Sequence, residues 1–266
     1  MNGRFRGATK ILRYTLRNAL RGRALLGYGL FFLAVSGGLL RFGGGLERAL
    51  PSLASVTLLI VPLVSLVVGT VSLFDGRDFT ELLLSHPVGR DALFLALYLG
   101  LALPLSAAYL VGAGLPLVWY GAFGTSSTAV LLLLLGGVLL TAIFTALACW
   151  VALSFTDAAR ALGAALLLWL LLTVLYDGVV LLAAHALADW PLERPLLAAM
   201  LLNPVDVARV LVLTGLDASV LMGYTGAVFE RFFGSGLGTA VALTSLSLWV
   251  ILPAWVGLRR FRRMDF

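Results

Sequence analysis

The sequence predicts an all-α integral membrane protein with six transmembrane helices, and three observations carry that prediction. Of its 266 residues 61% are hydrophobic and only 12% are charged, whereas a soluble domain carries about 25% charged residues. The apolar residues run on for about 20 positions at a time, the length of a helix that crosses a bilayer. Those runs have no period of two, which excludes a β-barrel, the other structure that satisfies its backbone in lipid. The mean hydropathy of +1.04 agrees.

Residues 1–23 carry Arg4, Arg6, Lys10, Arg13, Arg17, Arg21 and Arg23 and no acidic residue, with Phe5, Ile11, Leu12, Leu16 and Leu20 between them. This pattern predicts an amphipathic entry helix lying on the inner leaflet. A basic start ahead of an apolar run also fits a secretory signal peptide. A basic region of 23 residues is long for one, and more spans follow, so a retained first helix is favoured. The spans are expected at about 24–40, 53–74, 92–120, 129–155, 161–186 and 237–258. A glycine-rich turn at 41–52 follows the first. Pro62 lies inside the second, and Pro104 and Pro116 predict a bent or tilted third. The loop at 121–128 is uncharged, and Asp157 and Arg160 mark the next turn.

The segment 187–235 mixes short apolar runs with proline, glycine and charge. Its pieces 195–202 and 205–214 are each too short to span and are divided by Asn203-Pro204, a strong turn signal. Asp206 falls in the first turn of the second piece, where a carboxylate favours the helix dipole. These pieces are read as re-entrant or interfacial helices on the outer face. No soluble domain and no internal repeat is seen, so residues 1–266 form a single transmembrane domain.

Six spans place both termini on one side. That side collects fourteen of the nineteen basic residues, which orients it to the cytoplasm of an inner membrane. The stretch 75–91 then faces the cytoplasm as well. Within it Phe79, Leu82, Leu83 and His86 recur at helical spacing on one side, with Asp78, Glu81 and Ser85 on or near the other. Such a short amphipathic helix has nothing of its own to cover, which suggests a docking element for another protein; a solvated loop is the plainer reading. Pro87 and Gly89 end it.

The composition also excludes chemistry. Only one lysine exists, Lys10, so the glycine-rich phosphate loop of an ATPase is absent and the chain cannot hydrolyse ATP by that route. His86 and His185 lie on opposite faces, and one cysteine, Cys149, gives no metal-ligand cluster and no internal disulfide. No catalytic residue, cofactor or metal is assigned to this chain. Its basic residues cluster at span ends, so nucleic acid is not an expected partner. Asp177 is the one carboxylate within a span, about 24 Å along the fifth helix. It either faces a pathway or bonds a neighbouring helix or headgroup, and at that depth the structural role is favoured.

In the loop after the second span, Glu81-Leu82-Leu83-Leu84, Pro87 and Arg90 stand where ABC-2 permeases often read G-T-L-E-L-L-L-x-x-P-x-S-R. Asp78-Phe79-Thr80 replace the Gly-Thr-Leu, Gly89 replaces the serine, and Leu97 stands where a lysine commonly follows. With six spans and a basic entry helix, the chain resembles that family and its type V exporter-like fold. A narrower resemblance, to the NosY-type membrane subunit of nitrous oxide reductase maturation transporters, rests on Tyr176-Asp177, on residues 202–209 (L-N-P-V-D-V-A-R) and on residues 213–219 (L-T-G-L-D-A-S).

The resemblance implies a homodimer bound to two copies of a separate ATPase that holds ATP and Mg, with an accessory protein on the outer face. The stretch 75–91 becomes the coupling helix, with Phe79, Glu81, Leu82, Leu83 and Arg90 expected to meet the ATPase. Asn203, Asp206 and Arg209 are expected to contact the outer partner. The work is then transport, or mechanical work in the maturation of a periplasmic copper enzyme. Direct copper passage is disfavoured, since soft ligands are scarce. An ABC-2 exporter of lipid, glycan or drug is the alternative, and a membrane scaffold without transport a further one. The dimer interface is not fixed by the sequence, although small residues in spans four and five, such as Gly136, Gly137 and Gly163, allow close helix contact.

Overall fold

The computed structural model describes residues 22–84, 89–187, 193–215 and 236–263. The entry helix falls outside them except for its last two residues, as do Ser85, His86, Pro87 and residues 216–235. Every regular element among the described residues is a helix. Six are long and apolar enough to cross a membrane: α1 (Arg23–Phe42), α2 (Leu46–Asp75), α4 (Arg90–Trp119), α6 (Ser127–Ala152), α7 (Ala158–Ala186) and α10 (Gly236–Arg263). Short helices fill the turns: α3 (Arg77–Leu84), α5 (Ala122–Thr125), α8 (Glu193–Leu201) and α9 (Pro204–Thr214).

The expected spans reappear with longer ends. Helix α2 begins at Leu46 rather than near 53, because the turn is closed within three glycines. Gly44 and Gly45 hold φ of +77° and +113°, a region that other residues avoid. Glu47 and Arg48 therefore belong to the first turn of α2 and not to a loop. At its other end α10 runs on through Arg259 to Arg263, so the basic tail is helical. Helix α7 is interrupted by a π turn at Leu171–Leu175, a feature that hydropathy does not encode.

Helix α6 is the axis of the bundle. It is uncharged over 26 residues and is the most buried of the six. Its small residues admit its neighbours: Ala148 meets Gly69 of α2, Gly136 meets Val212 of α9, and Gly137 receives the ring of Tyr109 from α4. On the outside of α4, Gly112 and Ala108 take the backbone of α1 at Gly29. Tyr109 is fully buried, stacks edge-on against Phe32 at 5.1 Å and donates from its hydroxyl to Leu133 O at 3.1 Å. Ser36 donates to Ala113 O at 3.1 Å, tying α1 to α4 again. The buried hydroxyls of Ser36, Tyr109 and Thr141 answer backbone carbonyls, which is how polar atoms are tolerated where water is absent, whereas those of Tyr28, Ser65, Thr70 and Thr145 have no hydrogen-bond partner among the described residues.

Candidate functional site

Two polar constructions lie at opposite ends of the bundle. At one end sits α3, joined to α2 through Gly76. Its outward side shows Phe79, 40% exposed, and Leu82, 61% exposed, together with the exposed Glu81. Its inward side holds Thr80, buried and donating to Gly76 O at 2.8 Å, and the half-buried Leu83, which packs against the cluster of Leu93, Phe94 and Phe261. Helical spacing thus divides the helix into a face held against the bundle and a side that exposes an apolar pair.

Arg77 fastens α3 to the bundle. Its guanidinium donates to Ala152 O at 3.0 Å, Phe155 O at 2.7 Å and Thr156 O at 3.0 Å, and lies 3.9 Å over the ring of Phe74. These are carbonyls at and just beyond the C-terminus of α6, where no intrahelical donor remains and the dipole favours a cation. A planar fork of donors suits several acceptors at once. The contact lay beyond the sequence reading. The available signal was an arginine at the N-terminus of a short helix, where its charge opposes the dipole and so asks for another partner.

The other end of α3's neighbourhood is closed by α10. Arg90 donates to Arg262 O at 2.6 Å, and Arg262 in turn makes a two-point pair with Asp91 at 2.6 and 2.8 Å. Arg260 reaches Ser154 Oγ at 2.8 Å. Of the residues expected at an ATPase contact, Phe79, Glu81 and Leu82 face outward, whereas Leu83 and Arg90 also bind the bundle itself.

At the opposite end α8 and α9 form a hairpin bent by 104°. Asn203 caps α9, its Oδ1 accepting from Val205 N at 3.0 Å. Its Nδ2 donates to Leu172 O at 2.8 Å and to Asp206 Oδ2 at 3.1 Å. Leu172 lies in the π turn, whose wider i→i+5 pattern disrupts the regular ladder and makes a carbonyl available to the cap. Arg209 then bridges: its Nη1 donates to Asp177 Oδ2 at 2.7 Å and to Asp206 Oδ1 at 3.1 Å. Tyr176 donates to Ala199 O at 2.5 Å, and Ser245 of α10 to Leu201 O at 3.2 Å.

The four polar residues picked out in this half of the sequence therefore form one network. Asn203 is fully buried and Asp206 8% exposed, so both act inside the hairpin, fixing it against α7. Arg209 and Asp177 are part-exposed, with side-chain exposures of 35% and 39%. Beside them a cavity of about 380 Å³ opens between α2, the π turn and α9, with a largely apolar lining that includes Leu58, Leu59, Thr173 and Arg209. Gly163, unlike Gly136 and Gly137, meets nothing within 4 Å in the monomer.

A family model for the ABC-2 family transporter protein matches residues 44–266. The probable ABC transporter permease protein NosY of Pseudomonas aeruginosa is 30% identical over 275 residues, spanning 93% of this chain and 92% of the relative. The protein of the same name from Stutzerimonas stutzeri is 29% identical over 276 residues, spanning 93% of each.

Proposed function

We propose that this chain, which belongs to the ABC-2 family of transporter proteins as the membrane-spanning permease subunit of an ABC transporter, receives the stroke of a separate ATPase on α3 and delivers it to the α8–α9 hairpin. The observation that carries the reading is the exposed pair Phe79 and Leu82, with Glu81 beside them, on a short helix whose opposite side is bolted to the bundle. An apolar pair held rigidly outside the span is suited to a protein partner. The arginine bias supports a cytoplasmic setting for that end and for both termini in an inner membrane. ATP and Mg belong to the partner.

The chain works as a homodimer with two ATPase copies, and an accessory protein outside the cell membrane docks on the segment 187–235. Residues Asn203, Asp206 and Arg209 serve that contact by fixing the hairpin's shape, with Arg209 the most accessible. The likeness to two NosY permeases and the motifs at 202–209 and 213–219 support a role in maturing a periplasmic copper enzyme of the nitrous oxide reductase type.

The test is purification of the tagged chain from native membranes in mild detergent, followed by mass spectrometry. An ATPase and a secreted protein are expected together. Phe79→Asp and Leu82→Asp should release the ATPase and leave the secreted protein bound. An ATPase alone would point to a simple exporter, and retention of the ATPase by both variants would remove α3 as its seat.

A further inference from the structure

Resting on the coupling role of α3, we infer that Arg77 is the positioning residue that makes α3 move as one with α6, and that α6 is the rod carrying this motion to the α8–α9 hairpin. The covalent route would run elsewhere, since α3 is joined in sequence to α2 and, through residues 85–89, to α4. Both of those helices are interrupted by proline: Pro51 and Pro62 in α2, Pro104 and Pro116 in α4. Proline removes a backbone hydrogen bond and lets a helix bend, so a push at one end is partly absorbed. Helix α10 contains Pro253 and α7 its π turn.

Helix α6 contains no proline over 26 residues, about 39 Å at 1.5 Å per residue. It is the best-buried span, so close-packed neighbours surround it along its length. Its two ends are the two constructions already described. At one, Arg77 grips the carbonyls of Ala152, Phe155 and Thr156. At the other, α9 is seated on it with little clearance: a Cβ added at Gly136 would lie 3.2 Å from Val212 Cγ2, and one at Gly215 would lie 2.8 Å from Leu132 and 3.1 Å from the Ala129 backbone. Seen from α6, a tug on Arg77 acts along the helix axis and reaches α9 through packed side chains, which shift together rather than compress. The remaining uninterrupted span, α1, packs chiefly on α4 and α2 and has neither junction.

The experiment uses the full complex with its ATPase in lipid nanodiscs. Spin labels are placed at Leu202, 67% exposed at the hairpin turn, and at Trp119, 87% exposed at the same end of α4, with Cys149 replaced by serine. Electron–electron distance measurements with and without trapped Mg-ATP should show a nucleotide-dependent shift in the parent chain. Arg77→Gln should keep ATPase binding and hydrolysis and lose the shift. Arg77→Lys, which restores the charge without the fork, should recover part of it, and it serves as the reporting variant should Arg77→Gln fold poorly. A full shift in both variants overturns the inference. Loss of ATPase binding in both assigns Arg77 to docking and overturns it equally, whereas a parent chain that binds no ATPase removes the coupling role on which it rests.

Discussion

Replacing Arg209 by glutamine should loosen the hairpin end more than replacing either of its acidic partners. One nitrogen, Nη1, serves both Asp177 at 2.7 Å and Asp206 at 3.1 Å, so Arg209→Gln strands two carboxylates at once. Hydrogen bonds to charged groups are worth about 1.5–3 kcal/mol when sheltered. The Asp177 bond is part-exposed and counts at the surface value, about 0.5–1 kcal/mol. Asp206, with 11% of its side chain exposed, counts nearer 2 kcal/mol. The sum is about 2–3 kcal/mol, a drop in Tm of about 4–12 °C for a chain of this size. Asp177→Asn removes one of two like charges around a single cation and should stay within about 1 kcal/mol of the parent. The single cysteine provides the assay: Cys149 is 1% exposed, so a maleimide dye that fluoresces on thiol reaction reports unfolding on heating. An Arg209→Gln melt within about 1 °C of the parent, or an Asp177→Asn melt as low as that of Arg209→Gln, would refute the network as described.

Two further variants test the same packing. Asn203→Ala removes the cap of α9 and leaves Leu172 O without its donor, a loss of about 2–4 kcal/mol that hydrogen exchange should register at Val205 to Val207 first. Gly137→Ala would set a methyl group into the ring of Tyr109, displacing its hydroxyl from Leu133 O; a cost of about 2–4 kcal/mol is expected in the thiol melt. Gly163→Ala has open space around it and should be neutral or gain up to about 1 kcal/mol, and equal damage at 137 and 163 would dismiss the close contact as the cause.

Much of this architecture was legible because lipid makes a simple demand: long unbroken apolar runs are spans, and arginine gathers at their ends. The Asn203-Pro204 break was legible for an equally local reason, since the same asparagine that stops one helix caps the next. What escaped was set by contacts between distant residues. The start of α2 was placed late because Glu47 and Arg48 read as loop, when the turn needed only three glycines. Asp177 announced itself as costly, but its partner lies 32 residues away, and no periodicity links them. Arg77 read as one more basic residue at a span end; its acceptors are 75 to 79 residues distant. Spacing grouped Leu83 with Phe79 and Leu82 and set Glu81 opposite them, whereas the bundle draws Leu83 inward and leaves Glu81 exposed beside Phe79 and Leu82.

The π turn at Leu171–Leu175 sets the phase of everything that follows it in α7. A wide turn is equivalent to one extra residue inserted in a regular helix, and one residue corresponds to about 100° of rotation. Deleting a single leucine there would restore an unbroken helix of the same composition and hydropathy. It would also swing Tyr176 and Asp177 about 100° around the axis, away from Ala199 and Arg209. A relative one residue shorter at this point can therefore keep every letter of the downstream motif and still lack the ion pair, so in this stretch an alignment gap carries more information than an identity.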